Sequence, residues 1–347
     1  MTGNDEDGAR RTTRAGPVEV ACDESGSDSE NLTSGNTDVF AHASVRLSGK
    51  CAAQCVREIR DRIRSPAEEY KATHLLREKH RAVLEWVLCP AGPLYGHAHV
   101  DLTEKAFLVV DRALDMLLGD CAEARVLFGA GPEVFGTQRW RQFLEAANQL
   151  LRARNSGGPA APVDDFLRTV RALRELPAPA EVTGVLERLA GARERADALR
   201  ARKLAGGGLI PVLNPLVPAI LRTAAHWSAD GGTVRLVHDQ QNMLTPGRIA
   251  WLVQTAGRDG IGLAGLDLVD SRQDSRVQLA DFLAGIARKI ASDELNRRGD
   301  PPLTALLRPY VGAMSVWGDA PSWGRLGPSA DREGRGKQAG RAARIGC

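Results

Sequence analysis

The stretch "VEVACDESG", Val18 to Gly26, reads as a strand that stops on two acids, a serine and a glycine. Apolar residues alternate with others up to Cys22, and turn-forming residues follow at once. Loops at strand ends are where α/β sheets place their sites. A buried strand that ends in Asp23–Glu24 therefore raises the question of what the rest of the chain brings to that end.

Working outward, "SGSDSENLTSGN" is turn chemistry and "TDVFAHASVRL" is a second alternating strand, so the two strands read as an antiparallel hairpin with a long loop. A helix is predicted from about Cys51 to Arg64, another from about Leu75 to Leu88, and a further strand in "GPLYGHAHV". From about Asp101 to Ser228 the pattern is helical, with Leu, Ala and Phe at three- and four-residue spacings. The motif-like "FGAGPEVFG" in that region fits neither spacing of the nucleotide-binding glycine loops. Then β–α alternation returns. "TVRLVHD" ends at Asp239, and "TPGRIAWLVQTAGRD" offers Thr245 and Pro246 as helix N-cap and first residue. "LAGLDLVD" ends at Asp270, and "SRVQLADFLAGIARKIASDEL" is a long helix. Strand–helix–strand at this spacing implies parallel pairing. A hairpin followed by a βαβ unit predicts an α/β fold with a mixed sheet. The predicted organisation is a single domain over 17–324 with a helical insertion at about 101–230, a disordered N-terminus over 1–16, and a disordered tail over 325–347 with six Lys or Arg against two acids.

Composition narrows the function classes. A net charge of +3 over 347 residues gives no global field for nucleic acid or membrane, so a polyanion site has to be local. The largest basic surplus inside the predicted fold is Thr137 to Lys203, with 13 Lys or Arg against 8 acids; Arg193, Arg195 and Arg200 are its candidate polyanion contacts. Aromatics at 5% argue against a long base-stacking platform. The six cysteines form no CxxC pair and predict free thiols in a reducing compartment rather than zinc. With neither an apolar leader nor a run of roughly 18 apolar residues, a cytoplasmic protein is expected. Ser25 lacks a nucleophile elbow, and no Ser–His–acid grouping can be assigned.

The long C-terminal helix carries the sharper signal. Asp274, Gln278, Asp281 and Arg288 fall on one stripe, and Asp281 is set among Leu279, Ala280, Phe282 and Leu283. An acid in so apolar a stretch is costly to bury without a cation. If this helix crosses the sheet, Asp281 approaches Asp23 and Asp239 at their strand ends. Converging carboxylates repel one another unless cations neutralise them. Two Mg²⁺ or Mn²⁺ ions match such a set, and a pair about 4 Å apart is the usual device for phosphodiester hydrolysis. The plainer account is a helix with one solvent-facing stripe.

These residues also carry a resemblance. "DESG" after the first strand and "VDSRQDSRVQLADFLAG" near the end resemble the signatures of domain-of-unknown-function family 3800. "EYK" at Glu69 to Lys71 fits the family's middle element, and "VHDQQ" its third acidic strand end. The resemblance spans roughly Val18 to Glu294, with the helical insertion unmatched. It implies a ribonuclease H-like core and divalent-metal nuclease activity on DNA or RNA. The implied acidic, metal-holding set is Asp23, Glu69, Asp239 and Asp281, with Glu68 competing for the place of Glu69 and Asp270 for that of Asp239. Supporting roles fall to Glu24 as a ligand or its neighbour, Ser25 and Gly26 as the turn, Lys71 toward a phosphate or the acids, and Gln278 toward a ligand or water. Gly26 is expected to let a phosphate approach closely. His238 faces away from Asp239 on its strand and reads as a packing or edge residue. The competing reading is a non-catalytic nucleic-acid or partner-binding protein on the same core.

Overall fold

Five short runs rich in Val, Ala and Leu form one mixed sheet in the computed structural model, which describes residues 16–27, 30–64, 72–152, 161–205 and 208–329. The strands are β1 (Val18–Ser25), β2 (Val39–Val45), β3 (Ala98–Glu104), β4 (Val234–Asp239) and β5 (Leu263–Val269), in spatial order β3-β2-β1-β4-β5. β1, β2 and β3 pair antiparallel, while β1–β4 and β4–β5 are parallel. The expected hairpin and βαβ unit are both present, and β1 is the strand that joins them.

Fourteen α-helices lie among the described residues. α1 (Gly49–Ile63), α2 (Ala72–Leu75) and α3 (Arg81–Leu88) link β2 to β3. α4 (Lys105–Leu118), α5 (Ala124–Phe135), α6 (Thr137–Leu151), α7 (Ala161–Arg174), α8 (Ala180–Ala190) and α9 (Arg193–Leu204) follow β3. α10 (Leu216–Ser228) leads into β4, and α11 (Pro246–Arg258) connects β4 to β5. α12 (Ser275–Leu295), α13 (Pro301–Leu307) and α14 (Ala320–Leu326) close the chain. The expected helix from Leu75 to Leu88 is interrupted, because Arg77 is extended at φ −74°, ψ 139° before a single 3₁₀ turn. "FGAGPEVFG" lies mostly in α5, with Pro132 inside the helix and Gly131 against the Trp140 ring.

α12 packs across one face of the sheet on β1 and β2, together with α1, α2, α13 and α14. It is buried nearly all round, from Val277 through Ala291, which is why its sequence shows no clean apolar stripe. Burying a side chain such as Phe282 contributes roughly 1.5–3 kcal/mol. The opposite face is covered by α10 and α11 through Leu216, Ile220, Leu252 and Ala256. α4 to α9 have a core of their own, so the separate helical body begins after β3, and α10 belongs to the sheet. Buried Asn148 fastens that body to the β1–β2 loop: its Oδ1 accepts from Leu32 N at 3.1 Å and its Nδ2 donates to Glu30 O at 3.2 Å. The tail expected from 325 begins later, because α14 runs to Leu326 and Arg325 pairs with buried Glu294 at 2.5 Å; the expectations for residues 1–15 and beyond 329 lie outside the described residues. Among the described residues no helix is long and apolar enough to cross a membrane, and the five described cysteines are free, with Cys121 exposed.

Candidate functional site

Alternate residues of a strand point to opposite faces. At the end of β1, Asp23 therefore shares the α12 face with Ala21 and Val237, and Glu24 shares the other face with Cys22, His42 and His238. Asp23 is 7% exposed. Its carboxyl is pushed up to about 9, first by burial, then by the charges of Glu24, Asp281 and Asp239. The Glu24 backbone N–H, donating to Asp23 Oδ1 at 2.7 Å, works against that rise without cancelling it. Charges from the neighbouring Glu24 and from two distant segments, α12 and β4, thus act on one buried carboxyl. α12 supplies Asp281 because the helix lies across β1, and the parallel β1–β4 register supplies Asp239.

Asp239 and Asp270 both end strands, but their surroundings differ. Asp239 Oδ1 accepts from Ser271 N at 3.0 Å, and Gln278 Nε2 donates to Ser271 O at 2.9 Å. Gln278 thus holds the connection that steadies Asp239. Asp270 accepts from Arg272 N and is clamped by the Arg272 guanidinium at 2.6 Å, which holds its carboxyl down to about 2. Asp274 caps α12 and pairs with Arg276 at 2.7 Å. Of the stripe acids, Asp281 is the one that acts on Asp23.

The turn after β1 is tight. Gly26 has φ +90°, and a Cβ there would lie 2.4 Å from Val39 O and 2.8 Å from Arg288 Cδ. The positive φ and this close approach are what call for glycine at the turn. Ser25 Oγ accepts from Arg288 Nε at 2.9 Å, joining the strand end to α12. Glu68, Glu69 and Lys71 lie outside the described residues.

His238 is the residue that sequence reasoning set aside as packing. It is fully buried, and its Nε2 lies 3.5 Å from Glu24 Oε2. One ligand atom each from Asp23, Glu24 and His238 lie within 4.8 Å of one another. Gln241 Nε2 donates to the other Glu24 oxygen. The signal in the sequence was alternation: if β1 and β4 are neighbours, Glu24 and His238 fall on one face and Asp23 and Asp239 on the other.

Part of the basic surplus of the helical body is committed to structure. Arg200 is 4% exposed and donates to Leu150 O and Arg152 O at the end of α6. Arg195 donates to Leu117 O at 2.9 Å, and Arg193 pairs with Asp164. Arg200 is thus buried against carbonyls and presents no charge to solvent, while Arg193 and Arg195 keep exposed side chains. A cleft of about 420 Å³ lies instead between the helical body and the sheet domain, lined by Arg141 of α6, Arg288 of α12 and Arg298. No protein-family model, curated protein or solved structure matches this chain.

Proposed function

We propose that this chain is a divalent-metal-dependent phosphodiesterase, a nuclease, on a ribonuclease H-like core related to family 3800. The observation that carries the reading is Asp23, a buried carboxyl raised to about 9, on which the charges of Asp281 and Asp239 act from other segments. Such a group holds a proton at neutral pH unless a cation takes the proton's place. The donor set is carboxylate oxygen, which suits Mg²⁺ or Mn²⁺. Bound there, the ions would supply an activated water and stabilisation of the leaving oxygen. The chain's own residues do the positioning. Ser271 and Gln278 steady Asp239, and the β1–α12 contact presents Asp281 to Asp23. Arg288 spans the strand end and the cleft, so a phosphate backbone lying past Arg141 and Arg298 would run toward the acids.

The test is cleavage of mixed DNA and RNA with Mg²⁺ or Mn²⁺, comparing wild type with Asp23→Asn and Asp281→Asn. The expected outcome is metal-dependent cleavage that falls by several orders of magnitude in both variants while the folded state is kept. Wild-type cleavage by Asp23→Asn overturns the reading. Salt-sensitive binding without cleavage at any metal concentration would make the chain a nucleic-acid-binding protein on the same core.

A further inference from the structure

His238 Nδ1 lies 2.9 Å from Asp239 O. A carbonyl can only accept, so Nδ1 carries the hydrogen, and a neutral ring then has its lone pair on Nε2. That nitrogen is fully buried and makes no hydrogen bond among the described residues. It faces Glu24 Oε2 at 3.5 Å. A lone pair set against a carboxylate, away from water, is relieved by a cation between them, which is either a proton on Nε2 or a metal ion. An imidazole whose other nitrogen donates to a backbone carbonyl is the usual arrangement of a metal-bound histidine. The ring is further held by His42, stacked on it at 5.4 Å and 22°, with His42 Nδ1 at 2.9 Å from Thr223 Oγ1. Two ligand atoms each about 2.1 Å from one ion stand roughly 3.0–3.4 Å apart in octahedral or tetrahedral geometry. The 3.5 Å separation of Glu24 and His238 is close to that, and an Asp23 oxygen lies within the same 4.8 Å group.

We infer that His238, Glu24 and Asp23 form a mixed nitrogen–oxygen metal site that takes a first-row transition ion such as Mn²⁺ or Co²⁺ in preference to Mg²⁺. It deepens the proposed function, since Asp23 would stand between this site and the acids on the α12 face. The nitrogen donor sets the preference, because Mg²⁺ favours oxygen ligands and imidazole suits the later ions.

The experiment is pulsed electron paramagnetic resonance of Mn²⁺ bound to the full chain, grown with natural-abundance and with ¹⁵N-labelled histidine. A nitrogen coupling that changes with the label is expected, and it needs no variant that has to fold. Co²⁺ and Mg²⁺ titrations of wild type, His238→Gln and His42→Gln complete it. His238→Gln should abolish the coupling and weaken Co²⁺ at least tenfold with Mg²⁺ changed far less, whereas His42→Gln should keep the coupling. Bound Mn²⁺ with no histidine coupling overturns this site and leaves the carboxylate reading standing. Coupling present in a protein that cleaves nothing overturns the nuclease reading and leaves this site standing. Absence of any bound ion at millimolar metal overturns both.

Discussion

At Asp23 a carboxyl with an ordinary value of 3.8 is raised to about 9 by burial and by three neighbouring acids. Between those two values the folded chain keeps a proton that the unfolded chain has released. The contribution of Asp23 to the stability of the metal-free protein is therefore full below about pH 4, falls as pH rises through neutrality, and levels off above about pH 9. Each pKa unit corresponds to about 1.4 kcal/mol. Asp23→Asn keeps the shape and the carbonyl that accepts from Glu24 N, but cannot ionise. Urea denaturation in chelator from pH 5 to 9 should show a downward slope in wild type and a much flatter one in the variant. Equal slopes would mean that Asp23 is not the source of the effect. Asp23 and Asp281 were legible in the sequence because each sits in a recognisable motif. The difference between Asp239 and Asp270 was not, since both end strands; in the fold Arg272, two residues past Asp270, clamps that acid, while the charge of Asp239 acts on Asp23. Nor was Glu24 with His238, because their meeting depends on β1 and β4 being neighbours, a long-range pairing that no local pattern states.

α10 shows how an element can be helical by pattern yet belong elsewhere than its sequence neighbours. Its periodicity resembles that of the helices before it, but its Leu216, Val217 and Ile220 cover the sheet. Arg222 on the same helix makes a two-pronged contact with buried Asp101 of β3, at 2.6 and 2.7 Å. Burial pushes the Asp101 carboxyl up while Arg222 pulls it down, with burial the larger influence. Removing one partner of such a pair leaves a buried charge, at about 3–5 kcal/mol, whereas replacing both by apolar residues is often neutral. Arg222→Met should therefore lower stability by about that amount, and Arg222→Met with Asp101→Leu should restore most of it, read as denaturation midpoints. A double variant no better than the single would show that the pair supplies more than mutual neutralisation. α12 was legible as a helix from its length, but not as the central one. A helix buried on nearly every side has no polar face to give it away, and its Gly285 is needed where Ala72 of α2 approaches, 2.3 Å from the position of a Cβ.

On the scale of the whole molecule, the mixed sheet was legible because strand patterns, turn residues and the βαβ spacing all pointed the same way. The job of the helical body was not, because a count of charges does not say which face they occupy. Arginines at helix ends bond free carbonyls, as Arg200 does for Leu150 and Arg152, and add to a basic surplus without presenting charge to a partner. The charge that faces a groove is smaller and comes from both bodies: Arg141 from α6, and Arg288 and Arg298 from the sheet domain. Fastened through Asn148 to the β1–β2 loop, the helical body sets one wall of that cleft at a fixed place relative to the strand end. Arg141→Glu and Arg298→Glu should weaken binding of a DNA or RNA duplex and lower the slope of log affinity against log salt by about 0.9 for each phosphate that is no longer neutralised. Neither variant should shift the melting temperature much, because Arg141 is exposed and Arg298 meets Asp293 only at 3.9 Å. Arg200→Glu should do the reverse, lowering the melting temperature by placing an acid against carbonyls in a buried setting. If the salt slope drops with Arg193→Glu, an exposed arginine of α9, and not with Arg141→Glu, the outer face of the helical body carries the polyanion, and the cleft between the two bodies does not.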